Sequence, residues 1–150
     1  DLINKVYKNL KQELDQHNFI TIIPDELPLV KLDFGLMEQA LYNILLNSCQ
    51  YSPPGSDIRF EASYNEGNLL LQISDNGPGF PEQALPKVFN KFFRVEDSKT
   101  GGLGLGLSIV KGIVESHKGF TTVENLDYRG AKFSIIIPSE VPDINVLKLE

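Results

Sequence analysis

At 150 residues the chain has the size of one ordinary domain and can bury a substantial core. Its 41% hydrophobic and 23% charged residues place it among globular rather than disordered chains. A net charge of -6 argues against a protein that coats nucleic acid, because displacing phosphate counterions takes an excess of cations.

The one cysteine, Cys49, cannot close an internal disulfide. Set in an apolar helical run, it reads as a small core residue of a reduced cytosol rather than a reactive thiol. No apolar stretch approaches the roughly 20 residues of a membrane span, so direct membrane insertion is not expected. The charged opening, Asp1 to Lys11, is no signal peptide. The missing initiator Met and the ending Leu147-Lys148-Leu149-Glu150 suggest a piece cut from a longer protein. The expected domain covers residues 1–138, and residues 139–150 are expected to be a tail that is disordered or partly vector-derived.

Leu2, Val6, Leu10 and Leu14 recur every four residues and predict an opening amphipathic helix. Phe19 to Ile23 is a short β-rich run, closed by Pro24 and Pro28. Asp33 is the expected N-cap of a second helix, whose Met37, Leu41, Ile44, Leu45 and Ser48 share a face. Ser52-Pro53-Pro54-Gly55 stops it. Ile58, Phe60, Ala62 and Tyr64 alternate as in a half-buried strand. Asn65-Glu66-Gly67-Asn68 turns the chain, and a second strand returns from Leu69 to Asp75.

Residues 86–101 have no clean period and read as a long, mobile segment. Leu107, Val110, Ile113 and Val114 mark a third helix, for which Gly119 is the expected C-terminal cap. Phe120 to Val123 and Ala131 to Ile137 form a last hairpin. This order predicts an α+β fold, a two-layer α/β sandwich. Its mixed, mainly antiparallel sheet would be covered on one face by about three helices.

Four clusters carry possible chemistry. Asn43, Asn47, Gln50 and Tyr51 lie along one stripe of the second helix, where a solvated face would more often hold Glu and Lys. Neutral amides suit a hydrated Mg²⁺ or a phosphate, although an exposed polar face explains the stripe equally well. Asp75-Asn76-Gly77-Pro78-Gly79 sets a carboxylate at a strand end beside two glycines that admit a ligand to the backbone. The exocyclic amine of adenine is a suitable donor to it, and an ordinary Asx turn is the plain alternative.

Gly101-Gly102-Leu103-Gly104-Leu105-Gly106-Leu107-Ser108 runs straight into a helix and forms an anion cradle of free N–H groups. It is neither a Walker loop nor the dinucleotide fingerprint, since no Lys-Ser/Thr pair follows Gly106 and the third glycine of the fingerprint falls on Leu107. Lys87, Lys91 and Arg94 fall at helical spacing among Phe89, Phe92 and Phe93, a segment able to pack rings and aim cations inward. For Lys87, a solvated charge is the preferred reading.

In this order the four clusters resemble the N, G1, F and G2 boxes of bacterial sensor histidine kinases. The N box corresponds to Leu41 through Pro53, G1 to Asp75 through Phe80, the F box to Val88 through Arg94 and G2 to Gly102 through Leu107. Gly130-Ala131-Lys132-Phe133 resembles a weak final glycine box. The similarity runs from about Leu2 to Pro138. It implies a Bergerat-type ATP-binding fold, with ATP and Mg²⁺ as ligands.

By that resemblance Asn47 holds the metal, Asn43 contacts the phosphates, and Asp75 reads the adenine amine beside Gly77, Gly79 and Phe80. Tyr51 lines the base pocket, Gln50 lies beside the phosphates, and Gly102, Leu103, Gly104, Leu105 and Gly106 cradle them. Lys91 and Arg94 approach the γ-phosphate, and Asn43 and Arg94 are the catalytic candidates. The implied reaction is γ-phosphoryl transfer to a histidine. The implied partners are the kinase's own dimerisation and histidine phosphotransfer domain and, through the full-length protein, a response regulator receiver domain. The implied location is the cytoplasmic side of a membrane-anchored sensor.

Three positions depart from the family pattern: Gln50 stands where Lys is usual, Leu103 where Thr or Ser is usual, and Ala131-Lys132 where Gly-Thr is common. The acceptor histidine is not expected here, because His17 lacks the acidic residue that normally follows it and His117 should pack or cap the third helix. Two rival readings are a hydrolytic ATPase of the same superfamily and a non-catalytic module that senses ATP or binds a partner. The first would need a Glu at the position of Asn43, since an amide cannot take a proton from water.

Overall fold

The computed structural model describes residues 2–93 and 106–139. The described elements are α1 (Leu2–Asn9), α2 (Lys11–Leu14), β1 (Asn18–Ile22), α3 (Phe34–Tyr51), β2 (Asp57–Asn65), β3 (Asn68–Asp75), a 3-10 turn (Glu82–Lys87), α4 (Gly106–Ser116), β4 (Phe120–Asn125) and β5 (Ala131–Pro138). The strands form one sheet in the order β1-β2-β3-β5-β4. Only the β1–β2 pairing is parallel; the other three are antiparallel. This is the α+β layering expected of the sequence.

Strand periodicity decides which face is covered. Ile58, Phe60 and Ala62 of β2 are buried, as are Leu69, Leu71 and Ile73 of β3 and Phe133, Ile135 and Ile137 of β5. Register sets them side by side, with Ile73 opposite both Phe60 and Phe133, and Leu71 opposite Ala62 and Ile135. Met37, Ala40, Leu41, Ile44, Leu45 and Ser48 are the buried face of α3, and Val110, Ile113 and Val114 that of α4. Each fully buried Leu or Ile here contributes roughly 1.5–3 kcal/mol, so this layer is the main source of stability.

The opening helix is interrupted. Leu10 leaves helical geometry between α1 and α2, yet Leu10 and Leu14 remain buried in the same core. Asp33 caps α3, its Oδ1 accepting the Leu36 N–H at 3.0 Å. Cys49 is half-buried, and burial, with a smaller push from Glu13, raises its thiol pKa to about 12. It stays protonated near neutrality and is a poor nucleophile.

Gly119 does not cap α4 in the expected way. Lys118 takes the left-handed position with φ 63°, its N–H donating to Glu115 O while Gly119 N–H donates to Val114 O. Gly119 is required for a different reason: a Cβ there would strike the Ile136 carbonyl of β5. His117 completes the terminus, as expected of a capping histidine. Its Nδ1 donates to Ile113 O at 2.8 Å, and its Nε2 accepts the Asp33 N–H at 3.1 Å. One neutral imidazole thereby ties the end of α4 to the start of α3.

Of residues 86–101, expected to be a mobile segment, residues 86–93 pack onto the domain and residues 94–101 lie outside the described residues. Within it Val88 is buried and Phe89 and Phe93 pack against the core. Lys87 and Lys91 do not share a helix, because the 3-10 turn ends at Lys87 and Phe92 has φ 64°. Phe92 is exposed rather than packed. No helix among the described residues is long and apolar enough to cross a membrane.

Candidate functional site

Asp75 ends the inward row of β3 that begins with Leu69, Leu71 and Ile73, so strand alternation drives a carboxyl into the core layer. It is only 6% exposed. Its Oδ1 accepts N–H groups from Gly77 at 2.9 Å and Ala131 at 3.2 Å, and neither bond uses Oδ2. Burial raises its pKa above the usual carboxylate value; the two N–H donors and the nearby Ser48 hydroxyl only partly oppose this. The Ser48 hydroxyl lies near enough to favour the ionised form without making a hydrogen bond of good geometry.

The loop behind Asp75 is held from two sides. A Cβ on Gly77 would come 2.9 Å from Tyr51 O, 3.2 Å from Asp75 Oδ1 and 3.4 Å from Ser52 Oγ, so glycine alone keeps this corner open. Gly79 has φ +74° and lies against Asn125, whose side-chain oxygen would be 2.7 Å from an added Cβ. Asn125 binds the backbone of Phe80 as a strand would: its Oδ1 accepts Phe80 N–H at 2.8 Å and its Nδ2 donates to Phe80 O at 2.7 Å. Arg129 Nε donates to Asn76 O and Gly77 O at 3.0 and 3.2 Å. The Phe80 ring meets Phe133 edge-on, with centroids 6.0 Å apart.

Along α3, Asn43 and Asn47 are half-buried, Gln50 is exposed and Tyr51 is half-buried. Asn43 Nδ2 donates to Gly106 O at 3.1 Å, joining the middle of α3 to the start of α4. Thus the Asn stripe meets the end of the glycine-rich segment, while Tyr51 and Ser52 meet the Asp75 loop. Lys91 is exposed. Arg94, Gly102, Leu103, Gly104 and Leu105 lie outside the described residues.

Residues 33–141 match the family model of the histidine kinase-, DNA gyrase B- and HSP90-like ATPases. The chain belongs to this family. Among family members it is similar to the sensor histidine kinase WalK of Bacillus subtilis, 37% identical over 83% of this chain and only 21% of that protein's length. Its fold is that of histidine kinase catalytic domains. A mycobacterial sensor histidine kinase, MprB, superposes with a TM-score of 0.81 at 28% identity over 94% of each chain. Histidine kinase ThkA, in a complex with the response regulator protein TrrA, superposes with a TM-score of 0.78 at 25% identity over 93% of this chain and 40% of that one.

Several residues of this corner escape a linear reading. Asn125 and Arg129 sit in no recognised box, and Ser48 and Ser52, although inside the N box, carry no expected role at the site. Only an unusual Asn at the end of a strand, where Val, Thr or Ile would pair better, could have marked one of them.

Proposed function

We propose that this domain binds ATP between α3, the Asp75–Phe80 loop and the glycine-rich segment, and passes the γ-phosphoryl group to a histidine carried by another domain of the same kinase. The observation that carries the reading is the buried Asp75. Its Oδ1 is held by backbone donors, the hydrogen bonds from the described residues leave Oδ2 for an amine donor, and Gly77 keeps the adjoining space free. A carboxylate so placed suits the adenine amine, with Tyr51, Gly79 and Phe80 around the base.

Asn43, Gln50 and the backbone of Gly102, Leu103, Gly104, Leu105 and Gly106 would face the phosphates, with Lys91 and Arg94 as the cations nearest the γ-phosphate. Asn47 would hold Mg²⁺, which would supply charge neutralisation to the phosphates. The amide chemistry of α3 fits such an ion, since a neutral carbonyl oxygen ligates Mg²⁺ without repelling phosphate. Transfer then needs mainly positioning and charge neutralisation, because the attacking imidazole is already nucleophilic when neutral.

Asn43 also favours a kinase over a hydrolase. It is an amide and cannot act as base toward water. The partners of the whole protein would be its dimerisation and histidine domain and a response regulator, as the complex of ThkA with TrrA suggests. The domain would work on the cytoplasmic side of a membrane-anchored sensor. The exposed, neutral Gln50 supports a second reading, a non-catalytic ATP-binding module.

One assay separates these readings. The domain alone should hydrolyse ATP negligibly, and acid-labile label should appear on an added dimerisation and histidine domain. Steady hydrolysis without that domain would establish an ATPase, and ATP binding without transfer to a competent histidine domain would establish the module.

A further inference from the structure

β1 is an outer strand of the sheet, paired with β2 on one side alone. One contact fixes which of its backbone groups that pairing uses. Asn18 N–H donates to Ser56 O at 3.0 Å, in a parallel register that sets Asn18 beside Asp57. Successive residues of a strand turn their N–H and C=O groups to opposite sides, so Asn18, Ile20 and Ile22 serve β2. The N–H and C=O groups of Phe19 and Thr21 point the other way. Among the described residues no hydrogen bond engages them.

Such a row of unpaired groups is a template for another strand, and proteins usually guard it with charge, proline or a bulge. β1 has none of these. Asn18–Ile22 is uncharged, contains no proline and runs in unbroken register with β2, whereas the opposite outer strand, β4, carries the exposed Glu124. Ile22 and, just beyond the strand, Ile23 are exposed at 44% and 42%. A cleft of about 360 Å³ runs beside the same strand, with Tyr7, Leu14, Phe19 and Thr21 among its walls.

This edge is complementary to itself. With a second copy antiparallel about a two-fold axis at Ile20, Phe19 of each chain faces Thr21 of the other. Each such pair exchanges both of its N–H···O bonds, so no outward group of Phe19 or Thr21 is left over. Directly opposite residues share a face of the sheet. The Phe19 ring therefore meets a β-branched Thr21 beside the cleft, and Ile20 meets Ile20 on the outer face.

We infer that β1 is a self-association edge, through which two copies of this domain join their sheets across a two-fold axis at Ile20. The Asp75 loop, held by Asn125 and Arg129 at the other side of the sheet, stays open in the pair. A contact of this size is weak between free domains and forms between copies tethered in one assembly, where the effective concentration approaches the millimolar range. The inference stands whether or not the domain binds ATP.

The test is sedimentation velocity of the chain over a concentration series reaching about 1 mM, which detects contacts as weak as a millimolar Kd. The weight-average mass should rise toward that of two chains. Thr21→Pro deletes an outward N–H that β2 does not use, at an edge position that accepts proline. It should weaken association roughly tenfold or more and leave the melting temperature near that of wild type. Ile20→Lys and Ile20→Glu should each associate less than wild type, since like charges meet at the axis. An equimolar mixture of those two variants should associate more strongly than either alone.

A chain that sediments as one copy at every concentration would overturn the inference. Association that Thr21→Pro leaves unchanged would also overturn it, by placing the contact elsewhere, and so would growth past two copies, because a two-fold contact closes on itself. Should Thr21→Pro fail to fold, the Ile20 variants decide: a mixture no stronger than its components excludes the axis at Ile20.

Discussion

Asp75 occupies a position where strand alternation otherwise supplies Leu and Ile, and the mismatch has a measurable signature. Burial lifts its folded pKa above 3.8, so the folded chain holds the proton more tightly than the unfolded chain does. That proton stabilises the fold at low pH, and the contribution is lost as pH rises from 3.8 through the raised folded value. Asp75→Asn carries no such proton and keeps an acceptor for the Gly77 and Ala131 N–H groups. Unfolding free energies taken in urea from below pH 3.8 to neutrality should show wild type losing stability relative to Asp75→Asn as pH rises through the raised folded value, then running parallel to it. A gap that stays constant through the acid range would show that the carboxyl is not desolvated. Asp75→Asn should also weaken ADP binding near neutrality, because a charge-assisted acceptor is lost.

At the scale of elements, the end of α4 decides how the helix layer meets the sheet. Two adjacent residues there do different jobs. Lys118 supplies the left-handed turn, which a non-glycine residue adopts at some cost, while Gly119 gives β5 room to approach. Substitutions should therefore act in opposite directions. Gly119→Ala should destabilise the domain by about 1–3 kcal/mol, because backbone must move away from the new methyl. Lys118→Gly should be neutral or stabilising by up to about 1 kcal/mol, since relief of the left-handed penalty is offset by glycine's chain entropy. Thermal denaturation of the two variants checks both, and a stable Gly119→Ala would mean that α4 and β5 separate easily.

Across the whole molecule, the last hairpin acts as a second wall for the Asp75 loop. Asn125 at the end of β4 pairs with Phe80 through two hydrogen bonds, and Arg129 reaches back to the carbonyls of Asn76 and Gly77. Loop shape therefore depends on a hairpin some 50 residues further along the chain. Asn125→Ala should cost about 1–3 kcal/mol of stability, two half-buried backbone groups being left to find other partners. It should also weaken ADP binding severalfold, because the loop that positions Asp75 becomes looser. Equilibrium unfolding and calorimetry of the same variant measure the two effects. Loss of stability with wild-type affinity would confine Asn125 to a structural role.

The local chemistry of the chain was legible from residues alone wherever a short-range pattern controls it. The buried stripe of Met37, Leu41, Ile44, Leu45 and Ser48, the Asp33 cap, the Glu66-Gly67 hairpin turn and the strand end at Asp75 all follow from periods of 3.6 and 2 and from capping and turn propensities. The four boxes, read in order, also carried the family. Contacts between distant segments were not legible. That Lys118 rather than Gly119 turns the chain, that Asn125 and Arg129 clamp a loop, and that Ser48 and Ser52 bury bare hydroxyls beside Asp75 depend on which strands become neighbours. A residue's own periodicity says which face it occupies but not what faces it. That partner is chosen when β5 inserts between β3 and β4, and only the assembled sheet decides it.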